Sequence, residues 1–144
     1  MPELKATGSN GRDLLKGSNA SEEISGLKKS DEIKGKGGND YLIGNSGKDT
    51  LRGNRGSDTL NGSKGNDLLI GGKGSDRFIL SKGMDVVQDF SIEQGDQIAI
   101  KNGQFIEFAS EDGGVRITST SGIDTHLESV GLDDFLAATP MVYI

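Results

Sequence analysis

A chain of 144 residues with 32% hydrophobic residues, no Trp and 23 glycines is poorly equipped to build a conventional apolar core. A metal, disulfides or stacked repeats must add to its stability. The absence of Cys excludes disulfides, and a formal net charge of −6 without a basic patch argues against a nucleic-acid partner. No run of about eighteen apolar residues is available to span a membrane, and the opening MPELKATGSN lacks the apolar stretch of a cleavable signal peptide.

From Gly8 the chain repeats every nine residues without insertion: GSNGRDLLK, GSNASEEIS, GLKKSDEIK, GKGGNDYLI, GNSGKDTLR, GNRGSDTLN, GSKGNDLLI, GGKGSDRFI. A ninth unit, LSKGMDVVQ, keeps the pattern without its leading Gly. Position six is acidic in every unit: Asp13, Glu22, Asp31, Asp40, Asp49, Asp58, Asp67, Asp76 and Asp85. Position eight is always apolar: Leu15, Ile24, Ile33, Leu42, Leu51, Leu60, Leu69, Phe78 and Val87. Position four is Gly except at Ala20 and Lys29. A flexible Gly-rich linker would be indifferent to this register.

Gly at positions one and four permits positive φ or close backbone approach in a turn. The last three residues alternate as a short strand with one inward side chain. Two units therefore make one coil, odd units stack on odd and even on even, and two parallel sheets enclose the position-eight side chains. No unit buries its apolar residue alone, so stability is cooperative along the stack.

Stacked coils lie about 4.8 Å apart. Bare carboxylates at that distance repel by about 3 to 4 kcal/mol at an effective dielectric of about 20. Ca²⁺, whose oxygen ligands sit at about 2.3 to 2.6 Å, reaches two such carboxylates from between the coils. Mg²⁺ wants shorter bonds and keeps its water, and Zn²⁺ wants His or Cys, of which the chain has one and none. About four firm Ca²⁺ sites are expected on Asp40, Asp49, Asp58, Asp67, Asp76 and Asp85, and up to seven if Asp31, Glu22 and Asp13 take part. Backbone carbonyls would complete each shell, the candidates being Gly35, Lys36, Gly37, Gly44, Asn45, Ser46, Gly47, Gly53, Asn54, Arg55, Gly56, Gly62, Ser63, Lys64, Gly65, Gly71, Gly72, Lys73 and Gly74. The bland alternative is a metal-free solenoid in which Asp only shapes turns.

These units closely resemble the RTX nonapeptide G-G-x-G-x-D-x-U-x, a Ca²⁺-binding parallel β-helix motif. Units four to eight match well and units one to three loosely. The resemblance implies an all-β fold: a right-handed parallel β-roll over residues 8–88, with residues 89–144 as a C-terminal antiparallel β cap with a short helix. It further implies export by a type I (ABC) secretion apparatus, extracellular location, and folding triggered by calcium outside the cell. A monomer is expected. The start of the repeat array also resembles the R-modules of mannuronan C5-epimerases, which help to bind alginate. An anionic polysaccharide is thus an alternative partner, and position nine of the odd units would offer Lys16, Lys34 and Arg52 to it.

Beyond the ninth unit, DVVQDFSIEQGDQIAI alternates and carries a turn at Gly95-Asp96. QFIEFAS and VRITST, separated by Glu111 to Gly114, read as a hairpin, LDDFLAA from Leu132 as a helix, and the chain ends in apolar MVYI. The cap should cover outward apolar residues Leu68, Ile70, Ile79 and Val86. LDDF and the apolar end resemble an uncleaved type I secretion signal. The lone His126 is expected to face solvent or sit in the hairpin. No catalytic constellation is present, so no enzymatic activity is expected.

Overall fold

The computed structural model describes residues 3–100, 106–138 and 141–144; Gln104 and Phe105 of the sequence-predicted hairpin lie outside them. Among the described residues fifteen strands form two sheets, accompanied by one helix. Even units feed the first sheet through β3 (Glu22–Lys28), β5 (Tyr41–Ser46), β7 (Thr59–Lys64) and β9 (Arg77–Ile79). Odd units feed the second through β2 (Leu14–Lys16), β4 (Glu32–Gly37), β6 (Thr50–Arg55), β8 (Leu68–Lys73) and β10 (Gly83–Val87). Successive strands within each sheet pair in parallel without a register shift, Leu42 on Leu60 and Leu51 on Leu69. An additional strand before the repeats, β1 (Glu3–Thr7), lies parallel on β3.

The interior strands are longer than the three residues the alternation suggests. They run six residues, from position seven through position three of the next unit. The glycine at position one is thus inside a strand, buried beneath the carboxylate of its own unit. A Cβ on Gly35 would collide with the Asp40 carboxylate and lie 2.9 Å from the Gly53 carbonyl. Positive φ falls at positions two and four instead of one and four: Lys36 has φ 83°, Asn45 75° and Asn54 80°, and Gly56 has φ 122°. Lys29, at position four of unit three, is held at φ 71°, which costs a non-glycine residue about 1 to 2 kcal/mol.

Between the sheets the position-eight side chains Ile24, Ile33, Leu42, Leu51, Leu60, Leu69, Phe78 and Val87 are fully buried, while Leu15 at the open end is only partly covered. The interior continues into the C-terminal part without a break. β11 (Gln97–Ile100) adds a parallel strand to β9, and β15 (Met141–Tyr143) adds another to β11. β14 (Ile123–Leu127) pairs in parallel with β10, and β13 (Gly114–Ser119) and β12 (Ile106–Glu111) follow antiparallel, closed by the turn at Asp112-Gly113. The helix α1 (Leu132–Ala138) buries Phe135, which joins Phe78, Phe90 and Phe108 in a chain of ring contacts at 5.6 to 6.1 Å. This aromatic chain fastens the C-terminal elements to the last coil.

Among the described residues the C-terminal elements therefore extend the sheets and plug the core. Leu68, Ile70 and Val86 on the second sheet and Ile79 on the first, expected to be covered, remain half-buried. Leu68 and Val86 border an open cavity of about 1070 Å³ beneath the hairpin tip.

Close stacking gives a direct test. A methyl group at Gly56 would run into the Gly38 carbonyl of the coil before it, whereas one at Gly113, also at positive φ, meets nothing within 4 Å. Gly56→Ala should lose well over the ~1 to 2 kcal/mol of the φ penalty that Gly113→Ala pays. Denaturant unfolding in calcium measures the difference; equal losses would show that the coils are not packed as closely as described.

Candidate metal centre

The coil geometry places the position-six carboxylates in two columns. One holds Asp13, Asp31, Asp49, Asp67 and Asp85; the other holds Glu22, Asp40, Asp58 and Asp76. Each rung is tied to the next by the same bond. The backbone N–H of Asp40 donates to Oδ1 of Asp58 at 2.7 Å, that of Asp49 to Asp67 at 2.8 Å, that of Asp58 to Asp76 at 2.8 Å and that of Asp67 to Asp85 at 3.0 Å. The backbone bonds beside the column have the same step: Thr59 N–H donates to the Asp40 carbonyl at 2.8 Å and Arg77 N–H to that of Asp58 at 2.8 Å.

Oδ1 is thereby satisfied and Oδ2 is not. The Oδ2 atoms of Asp31, Asp40, Asp49, Asp58, Asp67 and Asp76 are buried without a hydrogen-bond partner. A buried orphan carboxylate oxygen is expensive, and six in two columns need a common explanation. Burial pushes these carboxyls upward: Asp40 and Asp49 to about 6, Asp76 and Asp85 to about 7, with neighbouring rungs adding repulsion. Asp31, Asp58 and Asp67 are raised by the same burial. Among the described residues no Lys, Arg or His forms an ion pair with any of them.

The donor set suits a hard cation. It consists of carboxylate oxygens and of turn carbonyls from the glycine-rich loops. Among the described residues no three His, Cys, Asp or Glu side chains converge on one point, so a shell here needs backbone oxygens as well. Of the expected carbonyls, those of Lys64 and Lys73 already accept bonds from Gly47 and Gly56 N–H, leaving each one lone pair.

The ends differ from the middle. Asp13 accepts bonds from Ser9 N–H at 2.6 Å and from the Ser9 hydroxyl, and Glu22 is bonded by Ser18 N–H at 2.8 Å and by the Ser18 hydroxyl. Their carboxylates close turns locally. Asp31, grouped with Glu22 and Asp13 on the sequence, has interior geometry instead: its N–H reaches Asp49 Oδ1 at 2.8 Å and its own Oδ2 is an orphan.

Two rungs escape a strict nine-residue reading. Asp96 follows Asp76, with Asp76 N–H donating to its Oδ1 at 2.9 Å across a separation of twenty residues. Its signal is the run G-D-Q-I-A, positions five to nine displaced by two residues. Thr125 follows Asp85 by strand register, and its Oγ1 is buried without a partner; nothing in the repeat pattern announces it.

Away from the columns, Lys16, Lys34 and Arg52 line up by strand register as expected. Glu32 lies beside that row and bonds Lys34 at 2.7 Å; this bond first, then the charges of Lys34, Arg52 and Lys16, hold its carboxyl below its ordinary value. His126 lies on the outer face of β14, 3.9 Å from Glu111, next to Arg116, which bonds Asp124 at 2.7 Å.

Comparison with known proteins follows the same residues. No curated protein matches the chain. Among solved structures, the solution structure of the AlgE6R3 subunit from the Azotobacter vinelandii mannuronan C5-epimerase is 26% identical; 99% of this chain and 85% of that one are covered, with a TM-score of 0.37. The family model for the RTX calcium-binding nonapeptide repeat matches four times, at residues 16–51, 25–60, 43–78 and 52–87, together half of the chain. The column carboxylates from Glu22 to Asp85 lie in this matched stretch, and the chain belongs to the family of RTX calcium-binding nonapeptide repeats.

Proposed function

We propose that this chain is an extracellular calcium-triggered folding module, with Asp40, Asp49, Asp58, Asp67, Asp76 and Asp85 as carboxylate ligands, joined by Asp31. The observation that carries the reading is the pair of columns of buried Oδ2 atoms without partners. Bound calcium supplies positive charge and a demand for six to eight oxygens. Carboxylates of units n and n+2 face each other across one coil and would share each ion, with carbonyls of positions one to four filling the shell. Asp13 and Glu22, already bonded by Ser9 and Ser18, contribute weakly.

Without the cation the columns repel and one apolar residue in nine drives little collapse. With it, binding free energy becomes folding free energy. Extracellular modules bind calcium at about 10⁻⁴ to 10⁻³ M, so the chain stays unfolded at cytosolic calcium and folds outside. That suits passage through a type I (ABC) apparatus as an unfolded chain. The repeats are of a non-catalytic family, and no helix among the described residues is long and apolar enough to cross a membrane. Strand register alone supports an anionic glycan along Lys16, Lys34 and Arg52, and Glu32 offsets it; the calcium columns have the stronger support.

The calcium midpoint of the β-signal in circular dichroism tests the assignment. Asp58→Asn should raise it about tenfold or more, equivalent to about 1.4 kcal/mol. Asp13→Asn should raise it less than about twofold. Equal shifts, or β-structure independent of calcium, would contradict the reading.

Acid should stabilise the metal-free fold. Asp76 and Asp85 are pushed to about 7 and Asp40 and Asp49 to about 6, above the ~3.9 of an unfolded Asp. The metal-free fold therefore binds protons more tightly than the unfolded chain, and its stability rises as pH falls from about 7 towards about 4. Protons also compete with calcium on the folded chain, but above about pH 5 the unfolded carboxylates are ionised as well, so the two effects offset and the calcium midpoint of the β-signal should not climb over this window. Denaturant unfolding in chelator and calcium titrations at pH 8 and pH 5.5 measure both; a metal-free fold less stable at pH 5.5 than at pH 8 would contradict the account.

A further inference from the structure

The even column does not end where the repeats end. Asp76 N–H bonds Asp96 Oδ1 at 2.9 Å, and Gln97 N–H bonds the Asp76 carbonyl at 2.8 Å. Asp58 and Asp76 are joined in the same way one coil earlier, at 2.8 Å for both bonds. The coil leading to Asp96 carries two extra residues, yet the rung is kept. Side-chain atoms absorb the insertion: Gln94 Oε1 accepts from Gly74 N–H at 3.0 Å, replacing a turn carbonyl, and the Ser75 hydroxyl bonds the Gly95 carbonyl at 2.6 Å.

The charge around this rung is uncompensated. Asp76 is 1% exposed and Asp96 3% exposed. Among the described residues neither forms an ion pair with a basic side chain. Asp89, which stands where the repeats have their first glycine, adds a third negative charge, and its own oxygens are taken by Gly71 and Gly72 N–H at 2.8 Å each. Asp76 Oδ2 is buried and unpartnered. Asp96 Oδ2 accepts from Ser91 N–H at 2.9 Å, which leaves it a lone pair for a cation.

We propose that Asp76 and Asp96 hold a divalent hard-oxygen cation, calcium by the donor chemistry, one coil beyond the nonapeptide repeats. The inference rests on the calcium reading of the columns. The odd column ends differently, because the rung that follows Asp85 is the neutral hydroxyl of Thr125, so only the even column continues as a carboxylate beyond the repeats.

Calcium bound per chain, counted by atomic absorption after equilibrium dialysis at millimolar free calcium, tests it. Asp96→Asn should bind one ion fewer than the wild type, and Asp112→Asn, at the exposed hairpin tip, should match the wild type. An Asp96→Asn count equal to that of the wild type overturns the proposal. A wild-type chain that binds no calcium overturns the column reading itself, and this site with it. If Asp96→Asn does not recover its β-spectrum in calcium, a crystal of the wild type grown in calcium decides. An ion at about 2.3 to 2.6 Å from carboxylate oxygens of both Asp76 and Asp96 supports the site; water or no density there overturns it.

Discussion

Like charges stacked at strand spacing are the constraint on which the rest of this fold depends. The parallel ladders fix one carboxylate above another, and the N–H of each interior rung binds Oδ1 of the next. That bond orients the side chain and leaves Oδ2 buried and unpaired. Two bare charges at about 4.8 Å cost about 3 to 4 kcal/mol at a surface-like dielectric of about 20. A sheet interior with one apolar side chain per unit has little to set against several such pairs. The geometry that makes the backbone hydrogen bonds is thus the geometry that needs a cation.

The glycines follow from the same arrangement. In the first eight units position one is glycine, with the carboxylate of its own unit lying over it, as at Gly35 and Asp40. From unit four onward position four is glycine, and successive coils approach there to backbone contact, as Gly56 does to Gly38. Apolar area is then confined to position eight, and the stack needs a plug. At the C-terminal end the plug is aromatic, running from Phe78 through Phe90 and Phe135 to Phe108. At the N-terminal end β1 covers only one of the two sheets, and Leu14 is left 55% exposed.

The roll was legible in the sequence because a strict nine-residue period fixes strand order, sheet assignment and the inward residue together. Asp in every unit and the apolar position eight suffice to place both columns. What the period could not show is where it is broken and mended. Asp96 is displaced by two residues, and its place depends on Gln94 and Ser75 bridging the turn. Thr125 joins the odd column through a tertiary pairing of β14 with β10. Strand length was underestimated because Gly and polar residues at positions one to three carry no strand propensity. They are extended there because the neighbouring coils supply hydrogen-bond partners. The outer apolar residues suggested a covering layer, but the C-terminal strands lengthen the sheets instead.

Amide hydrogen exchange at Asp40, Asp49, Asp58 and Asp67 tests the central claim most directly, since these N–H groups donate to the stacked carboxylates themselves. In calcium at pH 8 they should be among the slowest in the chain. On chelation at the same pH they should all revert together to the rates of an unfolded chain. Persistent protection of these four amides without calcium would contradict the account.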